Sequence, residues 1–243
     1  MDSEDVEEGV RLALKTFWAV RSRQAKSQGA KTGIKDTGAR SAVTGGKHLD
    51  GFVNLCRRLA DATGIDDLAV HFRSRREVPG FFRAEKSWDL LVMSGSDLLA
   101  LIEFKAQVGP SFGNNVNNRA EEALGNAVDF WTAYREGAFN ISPRPWLGFV
   151  FLLEDCAESR RPVGVSEPHF KVRPEFIGAS YGQRYEQLLT KLVRERLYDA
   201  AALILTERPT TARSPVRFRS PQDSLSFNRF AVGLSAHLAA CRK

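Results

Sequence analysis

The chain has 243 residues, of which 43% are hydrophobic and 26% charged, and its formal net charge is +6. This length is enough to bury a substantial core, and we expect one domain that covers residues 1–243. The first ten residues are acidic and no apolar run is long enough to cross a bilayer, so we expect a cytoplasmic protein without a signal peptide. The three cysteines are widely spaced, which excludes a disulfide framework and a zinc finger and fits a reducing compartment.

The N-terminal part combines a helical segment with a strongly basic one. Apolar residues recur at helical spacing over residues 4–20, with acids in the first turn, and predict a packing helix. Residues 21–47 then contain seven lysines and arginines and one acid, so this segment accounts for the whole net charge. Its small and polar residues are typical of a solvated linker, but concentrated basic charge also binds phosphates through counterion release. Of the two interpretations we favour a basic arm that closes on DNA.

A second helix is predicted directly after this arm, because an apolar stripe runs through residues 49–59. Lys47, the last residue of the arm, is a candidate DNA contact. Asp50 lies near the N terminus of the helix, where it either caps the helix or reaches a metal ion through an intervening ligand. We interpret His48 as a surface cap rather than a catalytic group.

Residues 65–83 hold one predicted strand, at 68–72, and a very basic turn. The arginines of this turn either contact phosphates or are simply solvated. Phe81 and Phe82 are expected to pack beneath the hairpin that follows. The arginines are Arg73, Arg75, Arg76 and Arg83.

Residues 88–107 predict a β-hairpin, because two arms rich in Leu, Ile, Val and Phe are separated by Ser-Gly-Ser-Asp. The arms carry three charges: Asp89, Glu103 and Lys105. Side chains two positions apart on a strand share a face, so Glu103 and Lys105 point the same way. A three-residue loop at 95–97 would place Asp89 directly opposite Glu103 on that face.

Two interpretations of these charges remain open. The first is a structural Glu103–Lys105 ion pair at a sheet edge, with Asp89 at a strand start. The second is a metal site in which Asp89 and Glu103 bind Mg²⁺, which prefers oxygen ligands and keeps several waters. Lys105 would then orient or deprotonate the attacking water and offset the charge that develops on a phosphate. An Asp followed by Glu-x-Lys across a hairpin resembles the arrangement in PD-(D/E)xK nucleases.

A run of asparagines follows the hairpin. Gly109-Pro110 ends the strand, and a helix is predicted from about Asn117, with Leu124 on its buried side. The asparagines either form an elaborate helix cap or contact DNA, because Asn pairs with adenine, Arg pairs with guanine and helix N-termini bind phosphate. Glu122 is expected to cap this helix or to help orient Lys105 or the metal. The candidate DNA contacts are Asn114, Asn115, Asn117, Asn118 and Arg119.

The remaining segments alternate between strands and helices. Apolar strands are predicted at 146–153 and 202–206, an amphipathic helix at 182–199 and a C-terminal helix from about 224 to 240. Residues 154–184 read as irregular and basic. The alternation predicts the α/β class, with a mixed central sheet flanked by helices.

Several stretches of the chain resemble the XhoI family of type II restriction endonucleases. The similarity extends from about residue 14 to the C-terminal helix and keeps the order of the segments. It implies a restriction-endonuclease-like core and a Mg²⁺-dependent homodimer that cuts within the palindrome CTCGAG and leaves 5′ overhangs, with Asp89, Glu103 and Lys105 as the catalytic set. Trp88 stands where the general nuclease pattern has Pro, and residues 104–106 read Phe-Lys-Ala where relatives can have Leu-Lys-Ser. The stretches are AVTGGKHLDGF, PGFFR and WDLLVM, VGPSFGNNVNNRAEEALG, DFWTAYREGAF, EDCAESRRPV and EFIGASYGQRY.

These observations together predict a site-specific DNA endonuclease of a restriction–modification system, with double-stranded DNA as substrate. A cognate methyltransferase is expected to act on the same site without necessarily binding this chain. One alternative is a nuclease-fold module that binds DNA without cleaving it, and another is a repair nuclease without sequence specificity. The presence of all three catalytic residues favours an enzyme over the module that only binds DNA.

Overall fold

The computed structural model describes residues 1–32, 47–110, 112–139, 142–211 and 213–242. Within these ranges, a six-stranded mixed sheet carries helices on both faces, which confirms the predicted α/β class. The helices are α1 (Ser3–Thr32), α2 (Asp50–Asp61), α3 (Gly113–Arg135), α4 (Ala157–Arg160), α5 (Tyr181–Arg194) and α6 (Phe227–Ala240). The strands are β1 (Leu68–His71), β2 (Glu77–Pro79), β3 (Glu85–Ser87), β4 (Leu90–Ser94), β5 (Asp97–Gln107), β6 (Trp146–Glu154), β7 (Ala200–Thr206) and β8 (Phe218–Arg219).

The strand order in the main sheet is β1-β4-β5-β6-β7-β8. Strands β5, β6 and β7 are parallel to one another, whereas β4 and then the edge strand β1 continue the sheet antiparallel on one side and the edge strand β8 does so on the other. Every residue of β6 is buried, as its continuous apolar run predicted for a parallel strand covered on both faces. Strands β2 and β3 pair only with each other and form a separate two-stranded hairpin.

The two faces of the sheet bury two apolar cores. Helices α1, α2 and α6 cover one face, where Phe17, Phe52 and Phe230 are fully buried. Helices α3 and α5 cover the other face, where Phe130 and Tyr185 are buried. No helix in the described part of the chain is both long enough and apolar enough to span a membrane.

The predicted hairpin corresponds to β4 and β5, with a tighter turn than expected. Ser94 pairs with Asp97, so the loop contains two residues instead of three. A bulge further along the strands restores the expected register, and Asp89 therefore lies one position beyond the last pair, opposite Glu103. The predicted loop length is wrong, but the shorter turn and the bulge compensate for each other.

Several other boundaries differ from the prediction. Helix α1 continues to Thr32, because Arg, Gln, Ala and Lys in residues 21–32 are good helix formers; the first part of the predicted arm is therefore helical. The rest of the arm up to residue 46 lies outside the described residues. Helix α3 begins at Gly113 rather than Asn117, and Leu124, predicted to be buried, is 43% exposed because it falls outside the stripe that packs on the sheet.

The connection between β2 and β3 also departs from the prediction. Phe81 and Phe82 do not pack beneath the main hairpin but are 51% and 71% exposed. Their backbone N–H groups donate to the buried carboxylate of Asp129 on α3, at 2.9 and 2.7 Å, and Arg83 Nε donates to the same carboxylate at 2.8 Å. A Cβ on Gly80 would lie 2.6 Å from Asp129 Oδ2, so this position needs glycine. Polar anchoring to α3 thus turns both aromatic rings outward.

Candidate active site

The centre of the candidate site is the carboxylate of Glu103 on β5. Its side chain is only 3% exposed, and each of its two oxygens is bound by a lysine. Lys105, two residues further along the same strand, forms an ion pair with Oε1. Lys86, from the separate β2–β3 hairpin, places its Nζ 2.9 Å from Oε2 and 4.4 Å from the centre of the Trp88 ring. The parallel part of the sheet therefore supplies a buried acid and one cation, and the small hairpin supplies the second cation.

The carboxylate of Asp89 adjoins this group from the start of β4. Its Oδ2 accepts a hydrogen bond from the backbone N–H of Phe104 at 2.8 Å, which ties it to the neighbouring strand. The side chain is half-buried and lines an open cleft together with Lys105. The structure thus brings Asp89, Glu103 and Lys105 together, as the register of the hairpin predicted.

The electrostatics of the two carboxylates differ in direction. Burial, and then the charge of Glu103, raise the pKa of Asp89 above its ordinary value. Burial also raises the pKa of Glu103, but Lys105 and Lys86 more than offset this and hold the pKa low. For Lys105, burial lowers the pKa, and the attraction of Glu103 and Asp89 outweighs it, so that the pKa is raised. Glu103 is thus an ionised carboxylate, whereas ionised Asp89 is repelled by its neighbour.

A cleft of about 860 Å³ opens at this end of the sheet, and most of the charged residues in its wall are cationic. Asp89 and Lys105 lie in the wall, whereas Glu103 is buried behind them. The lining of the cleft contains five cationic side chains and two acids. This excess of positive charge is expected of a surface that binds a polyanion. The cations are Arg21, Arg73, Arg76, Lys105 and Arg119, and the acids are Asp50 and Asp89.

His48 and Arg21 form one side of the cleft, where α1 meets the turn that precedes α2. His48 is half-buried rather than a surface cap, and its Nδ1 has no hydrogen-bond partner among the described residues. Burial, and then the charge of Arg21, lower the pKa of His48 to about 4, so the ring is neutral at physiological pH. The surface-cap interpretation is therefore wrong, because α1 extends far enough to cover this histidine.

The asparagine-rich segment lies in the first turns of α3. Asn117 and Asn118 are exposed and Asn115 is half-buried; for Asn114 only the helical backbone is described. The N-cap of the helix is Phe112, so none of the asparagines occupies the cap position itself. Both interpretations of their side chains, as contacts within the first turns of the helix and as contacts with DNA, stay predictions.

Arg119 and Glu122 follow one turn later on α3. Arg119 reaches the wall of the cleft and forms an ion pair with Glu122. Glu122 also adds, as a minor contribution, to the raised pKa of Lys105, although its own ion-pair partner is Arg119. The expectation that Glu122 orients Lys105 therefore stays a prediction, since the described ion pair of Glu122 is with Arg119.

The other predicted residues divide between the cleft and the rest of the surface. Asp50, in the first turn of α2, lines the cleft, whereas the side chain of Lys47 lies outside the described residues. Arg73 and Arg76 line the cleft, and their role as phosphate contacts stays a prediction. Arg83 instead pairs with Asp129.

Lys86 is the main residue that the sequence prediction missed. It lies between the predicted basic turn, which ends at residue 83, and the hairpin that starts at residue 88, and it stands two residues before Trp88 and therefore on the same face of an extended chain. This alternation was the available signal. What hid it was the short length of β3, which has only three residues.

The oxygen ligands that the site offers to a cation are few. Among the described residues, no group of three or more His, Cys, Asp and Glu side chains could hold a metal ion. The two carboxylates still fit Mg²⁺, because this ion commonly takes one or two carboxylates and completes its shell with water and phosphate. The mutual repulsion that raises the pKa of Asp89 is also the repulsion that a cation between two carboxylates removes.

Comparison with known proteins gives one family. The sequence model of the family described as Restriction endonuclease XhoI matches residues 28–216. The chain is 46% identical to the type II restriction enzyme BstVI of Geobacillus stearothermophilus over 84% of this chain and 93% of that protein. It is 42% identical to the type II restriction enzyme XhoI of Xanthomonas vasicola, over 79% and 77% of the two chains. It is 44% identical to the type II restriction enzyme AbrI of Azospirillum brasilense, over 70% and 77%. No solved structure matches the chain.

Proposed function

The chain belongs to the XhoI family of type II restriction endonucleases, and from this premise we propose that it is a Mg²⁺-dependent enzyme that cleaves double-stranded DNA within a palindrome resembling CTCGAG. The products carry 5′ overhangs. The observation that carries the proposal is that Asp89 and Lys105 lie in the wall of a cleft whose charged residues are mostly cationic, with Glu103 buried directly behind them. Cleavage of DNA needs both the arginines and the acids of this cleft. The arginines bind the phosphate backbone, and the acids act at one phosphate.

Asp89 and Glu103 are the proposed metal ligands. Asp89 keeps one carboxylate oxygen beyond the hydrogen bond from Phe104, and Glu103 is held in its ionised form by two lysines. When bound there, Mg²⁺ supplies Lewis-acid activation and neutralises charge on the phosphate. A rigid β-hairpin fixes the distance between the two ligands, which suits an ion with strict geometric demands.

Lys105 acts on the water and the phosphate in this proposal. Its ammonium lies in the wall of the cleft beside Glu103, within reach of a phosphate that enters the cleft. It orients or deprotonates the attacking water and stabilises the negative charge that builds up on the phosphate oxygens.

DNA binding is proposed to divide into backbone contacts and base readout. Arg21, Arg73 and Arg76 line the cleft and bind phosphates without regard to sequence. The first turns of α3 supply the candidates for reading base edges, since exposed asparagines and Arg119 stand together there. Lys47 and the rest of the basic arm add further phosphate contacts.

We further propose that one endonuclease domain forms the whole chain and that two copies act together. A palindrome presents the same half-site twice, and a two-fold dimer matches this symmetry. The protein then works in the cytoplasm as the nuclease of a restriction–modification system, with a methyltransferase that modifies the same site. Analytical ultracentrifugation on cognate DNA in Ca²⁺ tests the dimer, which requires two 27.1 kDa chains per duplex.

The decisive experiment uses two plasmids that differ only in one CTCGAG site. With Mg²⁺ we expect a single double-strand break in the plasmid that contains the site, with 5′ overhangs when the ends are sequenced, and no break in the matched plasmid or in EDTA. Breaks at scattered positions would identify a nuclease without sequence specificity. Binding without any cleavage would identify a DNA-binding module.

A further inference from the structure

Lys86 has no role in the reaction described above, yet it is one of the most tightly enclosed cations of the site. Its side chain is 11% exposed, and its ammonium lies between Oε2 of Glu103 and the ring of Trp88. With Lys105 on Oε1, both oxygens of Glu103 are engaged by ammonium groups. The site thus contains two carboxylates and two ammonium groups, where a metal site of the proposed kind needs only one lysine.

We propose that Lys86 competes with a divalent cation for Oε2 of Glu103 and so limits how tightly the site holds a metal ion. The inference rests on the proposed function, since it takes Asp89 and Glu103 as the metal ligands. Two positive charges on one carboxylate oxygen repel each other strongly in a poorly solvated pocket. A cation that binds Glu103 therefore has to displace an ammonium or bind against its charge.

The surroundings of the two lysines indicate that Lys86 is the one that gives way. Lys105 projects from β5 itself, the same strand as Glu103, so its position relative to the carboxylate is fixed by the sheet. Lys86 projects from the β2–β3 hairpin, which pairs with no strand of the main sheet. When Lys86 leaves Glu103, the face of the Trp88 ring still offers its ammonium a favourable contact. Displacement of Lys86 thus breaks no hydrogen bond of the main sheet.

The test measures metal binding by the full chain in the absence of DNA. Mn²⁺ serves as the probe, and the concentration of free ion is followed by electron paramagnetic resonance during a titration. We expect Lys86→Met to bind Mn²⁺ about three- to tenfold more tightly than the unmodified chain, because one competing charge is gone. Lys86→Arg retains the charge and is expected to bind no more tightly than the unmodified chain.

The chain offers a matched control in Lys191. Its Nζ lies 2.8 Å from Glu175 Oε1 and 4.5 Å from the centre of the Phe176 ring, which reproduces both contacts of Lys86 away from the cleft. Lys191→Met should therefore leave Mn²⁺ affinity unchanged. Unfolding temperature gives a second readout: the rise caused by saturating Mn²⁺ should be larger for Lys86→Met than for the unmodified chain and unchanged for Lys191→Met.

Two further variants separate the failure of this inference from failure of the proposed metal site. Asp89→Asn and Glu103→Gln should both lose Mn²⁺ binding. If they do, and folded Lys86→Met or Lys86→Gln binds Mn²⁺ equally or more weakly than the unmodified chain, the competition is refuted and the metal site stands. If Glu103→Gln binds Mn²⁺ as the unmodified chain does, the proposed metal site itself is wrong, and the inference about Lys86 falls with it.

Discussion

In the described part of the chain, two buried carboxylates are each held by two cationic side chains: Glu103 on β5 and Asp155 just after β6. Asp155 accepts hydrogen bonds from Arg160 Nε at 2.6 Å and from Arg219 Nε at 3.2 Å. Its side chain is 7% exposed, close to the 3% of Glu103. Each carboxylate has a lowered pKa, because its cationic partners outweigh the effect of burial. By pairing alone the two sites look alike.

The partners distinguish them. Arg160 and Arg219 reach Asp155 from the surface with side chains 53% and 56% exposed, so water solvates much of their charge. The lysines at Glu103 are 11% and 23% exposed, and a second carboxylate, Asp89, adjoins the group. The Glu103 group is thus less exposed to water than the Asp155 group, which is costly for so many charges. Such a cost is typical of a functional site, whereas the Asp155 group is a structural clamp at the end of two strands.

The largest expected effect is the loss of cleavage in Glu103→Gln. The amide cannot supply the charge that a metal ion needs, so the rate with Mg²⁺ should fall by about a thousandfold or more. Specific binding of DNA in Ca²⁺ should remain, because the arginines of the cleft and the N-terminal turns of α3 are unchanged. Plasmid cleavage and gel-shift titrations measure the two quantities.

Asp155→Asn is the matched control for this variant, since it removes the same charge from a carboxylate of similar burial. It should cleave DNA at nearly the rate of the unmodified chain. If Glu103→Gln cleaved DNA at a rate within tenfold of that of the unmodified chain, Glu103 would not belong to the active site. The functional difference between the Glu103 and Asp155 groups would then be wrong.

The next largest effect concerns two arginines: Arg119 in the wall of the cleft and Arg160 beside Asp155. If Arg119 reads a base edge, Arg119→Ala should lose roughly 1–3 kcal/mol of discrimination at one base pair of the site. Asn118→Ala should act in the same way, with little change in stability, because Asn118 is exposed. Arg160→Ala, which removes a guanidinium from the Asp155 group, should leave the preference intact. A panel of duplexes with single base changes gives the measurement, and equal losses across all duplexes would reassign Arg119 to phosphate binding.

The Glu103 group could be predicted in large part from the sequence. Strand alternation places Glu103 and Lys105 on one face, and opposition across a hairpin brings in Asp89. These relations are local and periodic, so they persist even though the turn is shorter than expected and a bulge compensates for it. The buried strand β6 and the mixed sheet flanked by helices could also be predicted, because they follow from apolar patterns within single segments.

Contacts between segments distant in the chain were beyond the reach of this reasoning. Lys86 meets Glu103 because β2 and β3 form a hairpin of three residues each, and its loop is anchored by Asp129, which lies 46 residues after Arg83. Arg21 enters the cleft only because α1 continues past the apolar stripe that marked its predicted end. Periodicity carries no information on such pairings, since they depend on where the packed helices stand.

A smaller effect is expected on stability at the structural clamp. Asp155→Asn should lower the free energy of unfolding by about 1–3 kcal/mol, because the charge that holds two arginines is lost. The lowered pKa of Asp155 means that its contribution is fully present above the ordinary carboxyl pKa and is lost as pH falls through the lowered value. The difference between the two chains in urea unfolding should therefore be constant near neutral pH and shrink below about pH 4. A difference that grew in acid would contradict the assignment.

The smallest expected effect is a gain, rather than a loss, in the free energy of unfolding, and it is expected for the substitution of Asp89. Burial and the charge of Glu103 raise the pKa of Asp89, so the folded chain holds a proton there more tightly than the unfolded chain does. Ionised Asp89 therefore destabilises the fold at neutral pH, and this penalty is relieved as pH falls through the raised pKa.

Asp89→Asn removes the charge but keeps an oxygen that can accept the hydrogen bond from Phe104. In EDTA it should raise the free energy of unfolding at pH 7 by on the order of 1 kcal/mol, and in a separate assay with Mg²⁺ it should abolish cleavage. The gain should fade in acid, where Asp89 is protonated in the unmodified chain. Loss of stability at pH 7 would mean that Asp89 is a structural acid like Asp155, and the distinction between the two groups would then rest on Glu103 alone.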